Sequence, residues 1–396
     1  MTTDALVLGA GPAGIAVALL LSKKGRSVEI IDPAFFPRPK ICGEFLNPQA
    51  VQWLRENNLL DPLLALSPFP IKGMKLTDRE GRSFTGHYVN NSMGYAVTRK
   101  DFDALLVSKT REAGIAISEG FRAEKLVFDG QRAIGIFGTT SEGRSFLKKG
   151  RVLIGADGRN NLIGRTFGWM RGIPELRKYT FQAYFDNVPG LSNFGEVHLV
   201  QDGYVGIAPL TGSLANVALV VDESAFPGGD ADRRAFLLSK IARSPLALRF
   251  RGLEPITEMV SAGPLAFRMK RVSGSGTLLV GDTCGFLDPF TGEGINYAFL
   301  SAGLAVEVLE RAYHSDSFED PALAEYDRRR HATFARKQHI SRLIQKAVAH
   351  PEFATMLIRK FASDVDLGDQ MVSAVGSAIP VEQVWNLKFL TRLVMP

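Results

Sequence analysis

Apolar residues follow two rhythms along this chain. Ala5 to Leu8 is an unbroken apolar run stopped by Gly9, the pattern of a parallel strand buried on both faces. Pro12 to Lys24 reads as the following helix, with Pro12 tolerated in its first turn. Ser27 to Ile31 repeats the strand pattern and ends at Asp32. This strand–turn–helix–strand unit predicts a doubly wound α/β sheet. Thr98 to Ala113 sets Phe102, Leu105 and Leu106 among charges and predicts an amphipathic helix. Arg151 to Ile154 and Thr277 to Val280 are further buried strands, and Gly294 to Ala312 is a long apolar helix behind the last of them.

The segments between have a different texture. Ile71 to Val89, and Thr180 to about Phe267, alternate and turn like antiparallel strands, with hairpin turns at Gln201-Asp202-Gly203 and Thr211-Gly212-Ser213. Val197 and Leu199, Val205 and Ile207, and Val217 and Leu219 are expected to share one apolar face. Such a face suits a lipophilic substrate, and it equally suits any buried sheet. From about Phe318 the tail reads as helices, at Ala332 to Ala349 and Pro351 to Ser363. The expectation is an α/β class, α+β overall. A discontinuous Rossmann-type domain covers 1–70, 95–179 and 268–315. An inserted antiparallel-sheet, substrate-binding domain covers 71–94 and 180–267, and a helical C-terminal region covers 316–396.

Composition limits the partners. Of 396 residues, 45% are hydrophobic and 22% charged, an ordinary globular balance. The formal charge is +6, with one concentrated basic run: seven Lys/Arg and no acid from Arg328 to Lys346. It reads as a solvated helix face or as attraction to an anionic membrane surface. No recognition motif accompanies it, so nucleic acid is not expected. Two cysteines, Cys42 and Cys284, make no disulfide framework and suit a reducing cytoplasm, with peripheral membrane contact as the variant reading. Residues 5–22 carry no charge, yet Asp4 precedes them and the Gly-Ala-Gly-Pro break splits them, so neither a signal peptide nor a membrane span is read.

The chemistry gathers at strand ends. In Gly9-Ala10-Gly11-Pro12-Ala13-Gly14, Gly9 permits the tight turn, Gly11 lets backbone approach a pyrophosphate, and Gly14 lets helix and strand pack. The helix N-terminus then offers N–H groups to the phosphates. Asp32 stands 18 residues after Gly14, where a carboxylate suits a ribose hydroxyl. This predicts dinucleotide binding and leaves FAD and NAD unseparated. Near residue 280, Gly281-Asp282 puts a second carboxylate at a strand end, suited to ribityl hydroxyls. Pro289, Gly292 and Gly294 lead into the long helix, whose N-terminus could stabilise negative charge on a reduced flavin. No catalytic triad or metal-ligand cluster is apparent. His87 and His198 are lone histidines in strand-like segments and read as sheet residues.

The run Gly281-Asp282 through Pro289 to Gly292-Glu293-Gly294-Ile295, with the glycine turn and Ala156-Asp157-Gly158 upstream, resembles the p-hydroxybenzoate-hydroxylase-type FAD enzymes. Within them the chain is most similar to the geranylgeranyl reductase-like branch, through Pro37-Arg38-Pro39-Lys40-Ile41-Cys42-Gly43-Glu44 and Val97-Thr98-Arg99-Lys100-Asp101-Phe102-Asp103. The resemblance covers roughly residues 1–310. It implies that Arg38 and Arg99 serve FAD, that Asp157 and Gly158 lie toward its pyrophosphate, and that Asp282 holds the ribityl chain. Gly292 to Asn296 would face the isoalloxazine. Cys42, Gly43 and Glu44, the catalytic candidates, would lie by the ring on the substrate side. Bland alternatives are an exposed Arg99, a plain turn at Asp157-Gly158 and a small buried filler at Cys42; filler is the favoured reading of Cys284. Tyr204 to Pro209 departs from the branch's aromatic-rich segment. The lysine and Trp-rich motif of flavin halogenases are not evident, which argues against halogenation.

The implied function is an FAD-dependent oxidoreductase acting on a hydrophobic isoprenoid or polyketide-like molecule, with C=C reduction preferred. The alternative is a monooxygenase working through a flavin C4a-hydroperoxide. A non-catalytic lipid escort of the GDP-dissociation-inhibitor type is a third reading, against which Asp282 and the following glycines speak. Electrons would come from NAD(P)H or from a donor protein. The sequence sets no oligomeric state.

Overall fold

The computed structural model describes residues 2–226, 228–229, 232–384 and 386–394. One sheet runs in the order Ser273–Gly274, Thr277–Leu279, Ser145–Gly155, Thr3–Leu8, Val28–Asp32, Ala116–Glu119. From Thr277–Leu279 to Ala116–Glu119 neighbouring strands are parallel. Leu8 pairs with both Ile31 and Gly155, and Gly155 with Leu279. Gly9, Asp32, Ala156 and Val280 therefore all leave the sheet at its carboxyl edge, the edge where α/β sheets bind ligands. Ser145–Gly155 is longer than the expected four-residue strand, because its first half forms a separate hairpin with Arg132–Thr140. Helix Pro12–Lys23 is buried on nearly all sides, packed against helix Gly294–His314.

A second sheet orders Val260–Ala262, Lys178–Phe185, Ala215–Asp222, Gly203–Pro209, Gly195–Val200, Gly73–Thr77 and Ser83–His87. It is antiparallel except at Gly195–Val200 beside Gly73–Thr77. Those two strands come from distant stretches of chain, so no hairpin dictates their direction.

The expected single apolar face of this sheet is corrected by its register. Directly opposed residues share a face. Val197 opposes Gly206 and Leu199 opposes Tyr204, whereas Val205 opposes His198 and Leu219. Val197 and Leu199 thus look one way, while Val205, Ile207, Val217 and Leu219 look the other, toward Leu237 and Ile241 of helix Arg233–Ala242. That helix lies in a segment expected to hold strands and turns. Both faces of the sheet are covered, so alternation alone does not tell them apart.

The tail covers the Val197 face. Helices Asp320–Ala349, Pro351–Ser363 and Val365–Val375 place Ile340, Ile358, Phe361, Leu367 and Val372 against Phe84, Val197, Leu199 and Val220. The first of these helices begins well before the expected Ala332, with Leu323 and Tyr326 buried beneath its charged surface.

Candidate active site

The carboxyl edge of the first sheet and the Val197 face of the second enclose one cavity of about 1750 Å³. Every residue proposed from the sequence for the cofactor or the catalytic segment borders it, except Gly14 and Asn296. Gly14 packs instead: a Cβ there would lie 1.9 Å from the Gly9 carbonyl oxygen. Gly9 itself has φ +109°, and a Cβ would meet the Ala156 oxygen at 2.5 Å. Nothing stands within 4 Å of the same construction at Gly11, so the backbone there is open to a ligand. Asn296, expected with Gly292 to Ile295 to face the ring, does not border the cavity. The helix turns it away from the cavity, and its amide donates to Gln49 Oε1 at 2.9 Å and Ser377 Oγ at 3.3 Å.

The carboxylates at the strand ends are held by different contacts. Asp32 accepts the Ala10 N–H on Oδ2 and the Ala34 N–H on Oδ1, each at 2.8 Å, which braces the glycine turn. Each oxygen keeps a lone pair for a ribose hydroxyl. Asp157 accepts the Leu162 N–H on Oδ2, while its buried Oδ1 has no protein partner. Burial pushes the Asp157 carboxyl up to about 6. Burial also raises Asp282, against the pull of Arg99, Lys40 and Arg159.

Arg99 is clamped by Asp103, one turn along its helix, with Nε and Nη2 both 2.8 Å from the carboxylate. Burial disfavours the Arg99 charge, and Asp103, with Cys42 beside it, more than restores it. Arg38 reaches the same carboxylate at 3.3 Å, but its Nη1 makes no aligned hydrogen bond. This donor set fits FAD. A helix N-terminus, the clamped Arg99 guanidinium with Arg38 beside it, three strand-end carboxylates and unpartnered polar atoms at Arg38 and Asp157 match a diphosphate flanked by hydroxylated chains.

The Cys42-Gly43-Glu44 segment crosses from this region to the second sheet. Cys42 N–H donates to Gln182 Oε1 at 3.0 Å, and Asn216 Nδ2 donates to the Cys42 carbonyl at 2.8 Å. Glu44 takes φ +55°, unusual for a residue with a side chain, and is 1% exposed. Its Oε1 accepts the Arg99 N–H at 3.1 Å and the Tyr184 hydroxyl. Its Oε2 is buried without a partner. Burial pushes the Glu44 carboxyl up to about 7, opposed by the Tyr184 and Arg99 bonds.

Sequence reasoning did not single out Gln182, Tyr184 or Asn216. Their signal was available: each is a polar group flanked on both sides by apolar residues in its strand, and all three fall on the cavity face. Two further links tie the cavity walls together. Tyr204 donates to Asp288 Oδ1 at 2.6 Å, joining the sheet to the Pro289 loop. Buried Glu293 pairs with Lys337 and accepts from Ser377 and Tyr297, joining the long helix start to the tail. Cys284 is buried, its Sγ 3.0 Å from the Leu279 carbonyl.

A family model described as FAD binding domain matches residues 2–339. The chain belongs to that family. It is 30% identical to menaquinone reductase of Mycobacterium tuberculosis over 327 residues, 78% of this chain and 77% of that protein. It is 26% identical to digeranylgeranylglycerophospholipid reductase 1 of Methanopyrus kandleri over 392 residues, 97% of this chain and 100% of that protein. A solved flavin-dependent brominase superposes with TM-score 0.83 over 95% of this chain and 94% of its own at 21% identity, which shows a common fold. The chain is thus a flavoprotein enzyme of the p-hydroxybenzoate-hydroxylase type with geranylgeranyl-reductase-like relatives. Among the described residues of this flavoprotein, no helix is long and apolar enough to cross a membrane.

Proposed function

We propose that this flavoprotein reduces carbon–carbon double bonds in a hydrophobic, isoprenoid-bearing molecule. The observation that carries the proposal is Glu44: a cavity-lining carboxyl whose pKa is pushed up to about 7 and whose free oxygen has no protein partner. Bound, reduced FAD would supply a hydride to one alkene carbon; the other carbon then needs a proton. Glu44 holds that proton on Oε2, because Oε1 is already engaged by the Tyr184 and Arg99 donors. A pKa near the working pH lets the carboxyl give up its proton and regain it. Met74, Leu76, Val197, Leu199 and Val220 line the cavity with apolar surface, which suits a prenyl chain and keeps water from the proton donor. The names of the menaquinone and digeranylgeranyl-lipid reductases support the same substrate class.

NAD(P)H, entering transiently, is the proposed electron source, with a donor protein as the other route. Two unpaired thiols suit a reducing cytoplasmic setting. The test is anaerobic: holoprotein, NADPH or dithionite, and a geranylgeranyl lipid, with product read by mass spectrometry. Gain of hydrogen without oxygen is the expected result. Product that forms only with oxygen and carries an added oxygen atom would replace reduction with the monooxygenase reading.

A further inference from the structure

The cavity has a second end among the tail helices, and its rim is both apolar and basic. Arg342, Leu343 and Lys346 follow at helical spacing on Asp320–Ala349, with His350 just past its end, and all four line the cavity while remaining exposed. Phe353 of Pro351–Ser363 and Leu390 of Leu387–Val394 complete the rim. Leu343 is 39% exposed, Phe353 47% and Leu390 37%. Side chains that line an internal space and also face solvent mark where that space opens.

The charges around this mouth are uneven. The basic run from Arg328 to Lys346 divides in the structure. Arg329, Arg336 and Lys337 are paired with Glu307, Glu382 and Glu293. Arg342 and Lys346, at the mouth itself, have no acidic partner among the described residues. Glu352, next to Phe353 in the chain, is exposed as well but does not line the cavity. Large apolar side chains standing in water beside uncompensated cations match the surface of an anionic bilayer. Headgroups would meet the cations, and Leu343, Phe353 and Leu390 would enter the acyl boundary.

We infer that this rim is a membrane-docking mouth, through which a lipid chain passes from an anionic bilayer into the cavity without crossing water. What passes through rests on the lipophilic-substrate reading; the docking does not, since it is measured without turnover. The holoprotein is floated with vesicles of phosphatidylcholine alone or mixed with phosphatidylglycerol. The wild type is expected to float with the anionic vesicles, less so as salt rises, and to stay down with the neutral ones. At about 1 kcal/mol for each cation near an anionic surface, Arg342→Ala with Lys346→Ala lowers the partition about 30-fold. Leu343→Asp with Phe353→Asp abolishes it, with flavin absorbance and melting temperature as the folding controls. Wild type left at the bottom with anionic vesicles at low salt overturns the inference. So does wild-type flotation of both variant pairs. So does a dimer, seen by light scattering, that Leu343→Asp and Phe353→Asp split, since the rim would then cover a second copy. An enzyme that floats but reduces no prenyl lipid would overturn the reductase reading and leave the docking intact.

Discussion

Replacing Glu44 with Gln isolates the proton at the centre of the proposed chemistry. Gln keeps the acceptor for the Arg99 N–H and the Tyr184 hydroxyl, and its amide N–H₂ mimics a protonated Oε2. It cannot ionise. Glu44 rises from an ordinary 4.5 to about 7, first because it is buried, against the Tyr184 and Arg99 contacts and with Asp101 adding repulsion. At about 1.36 kcal/mol per pH unit, the rise is worth roughly 3 kcal/mol. The sign follows from proton counts. Between 4.5 and about 7 the folded carboxyl is protonated while the unfolded one is ionised, so the folded state binds more protons. Stability from this group is present in full below that window and is lost as pH climbs through it. Urea unfolding of cofactor-free wild type and Glu44→Gln across the window gives the difference directly, since every other titrating group is common to both. Wild type should lose roughly 3 kcal/mol relative to the variant by about pH 8. Turnover should fall above pH 7 in wild type and be slow and flat in the variant. A stability difference that does not change with pH, or a variant with wild-type turnover at every pH, would refute the assignment of the proton to Glu44.

Three further outcomes follow from the same geometry. Asp282→Ala removes a carboxylate at the cavity edge and should weaken FAD binding about 10- to 100-fold with the fold kept, read by flavin fluorescence on titration; unchanged affinity would remove the ribityl contact. Cys42→Ala should keep FAD, because the Gln182 and Asn216 bonds are made by the Cys42 backbone, and should alter turnover or product; wild-type kinetics would return Cys42 to filler. Gly206→Leu fills space on the sheet face of the cavity, where the nearest atom to a built Cβ is the Ala218 oxygen at 3.8 Å; FAD occupancy should hold while KM for a prenyl substrate rises about tenfold, and an unchanged KM would place the substrate elsewhere.

The cofactor end was legible because its determinants are local. Gly9 and Gly14 fix a turn by sterics, Gly11 leaves its backbone open, and Asp32, Asp157 and Asp282 each end or follow an apolar strand, so their place at one edge follows from the parallel order. The i, i+4 pair of Arg99 and Asp103 was legible as spacing, though not as the clamp it forms. The substrate end was not legible in the same way. Val197 and Val205 are the same residue type in adjacent strands, and only the hairpin register through Gln201-Asp202 decides which faces the cavity. With both faces buried, a one-residue slip leaves the hydropathy pattern intact. The missed helix Arg233–Ala242 did carry its own marks: Asp232 caps the Arg234 and Ala235 N–H groups, and Leu237 and Ile241 stand one turn apart. Asn296 shows the limit of a motif string, which fixes where a helix begins and not which way each side chain turns.

The tail gave the sequence least and changes the argument most. Read alone, residues 316–396 are amphipathic helices with a basic run, equally suited to solvent, lipid or protein. In the structure their described helices form one wall of the cavity. Phe361 packs on Phe84 with ring centroids 5.3 Å apart, and a Cβ at Gly86 would strike Val372 at 2.6 Å. Asp369 and Ser373 accept the His87 and Val89 N–H groups, closing the edge strand of the sheet. Burying Ile358, Phe361, Leu367 and Val372, at about 2 kcal/mol of gross burial each, holds the tail on the sheet. A truncation near residue 330 would therefore expose the Val197 face and unmake the chamber, so loss of function in such a fragment would say nothing about membranes. Only point changes on the exposed rim separate what the tail encloses from what it touches.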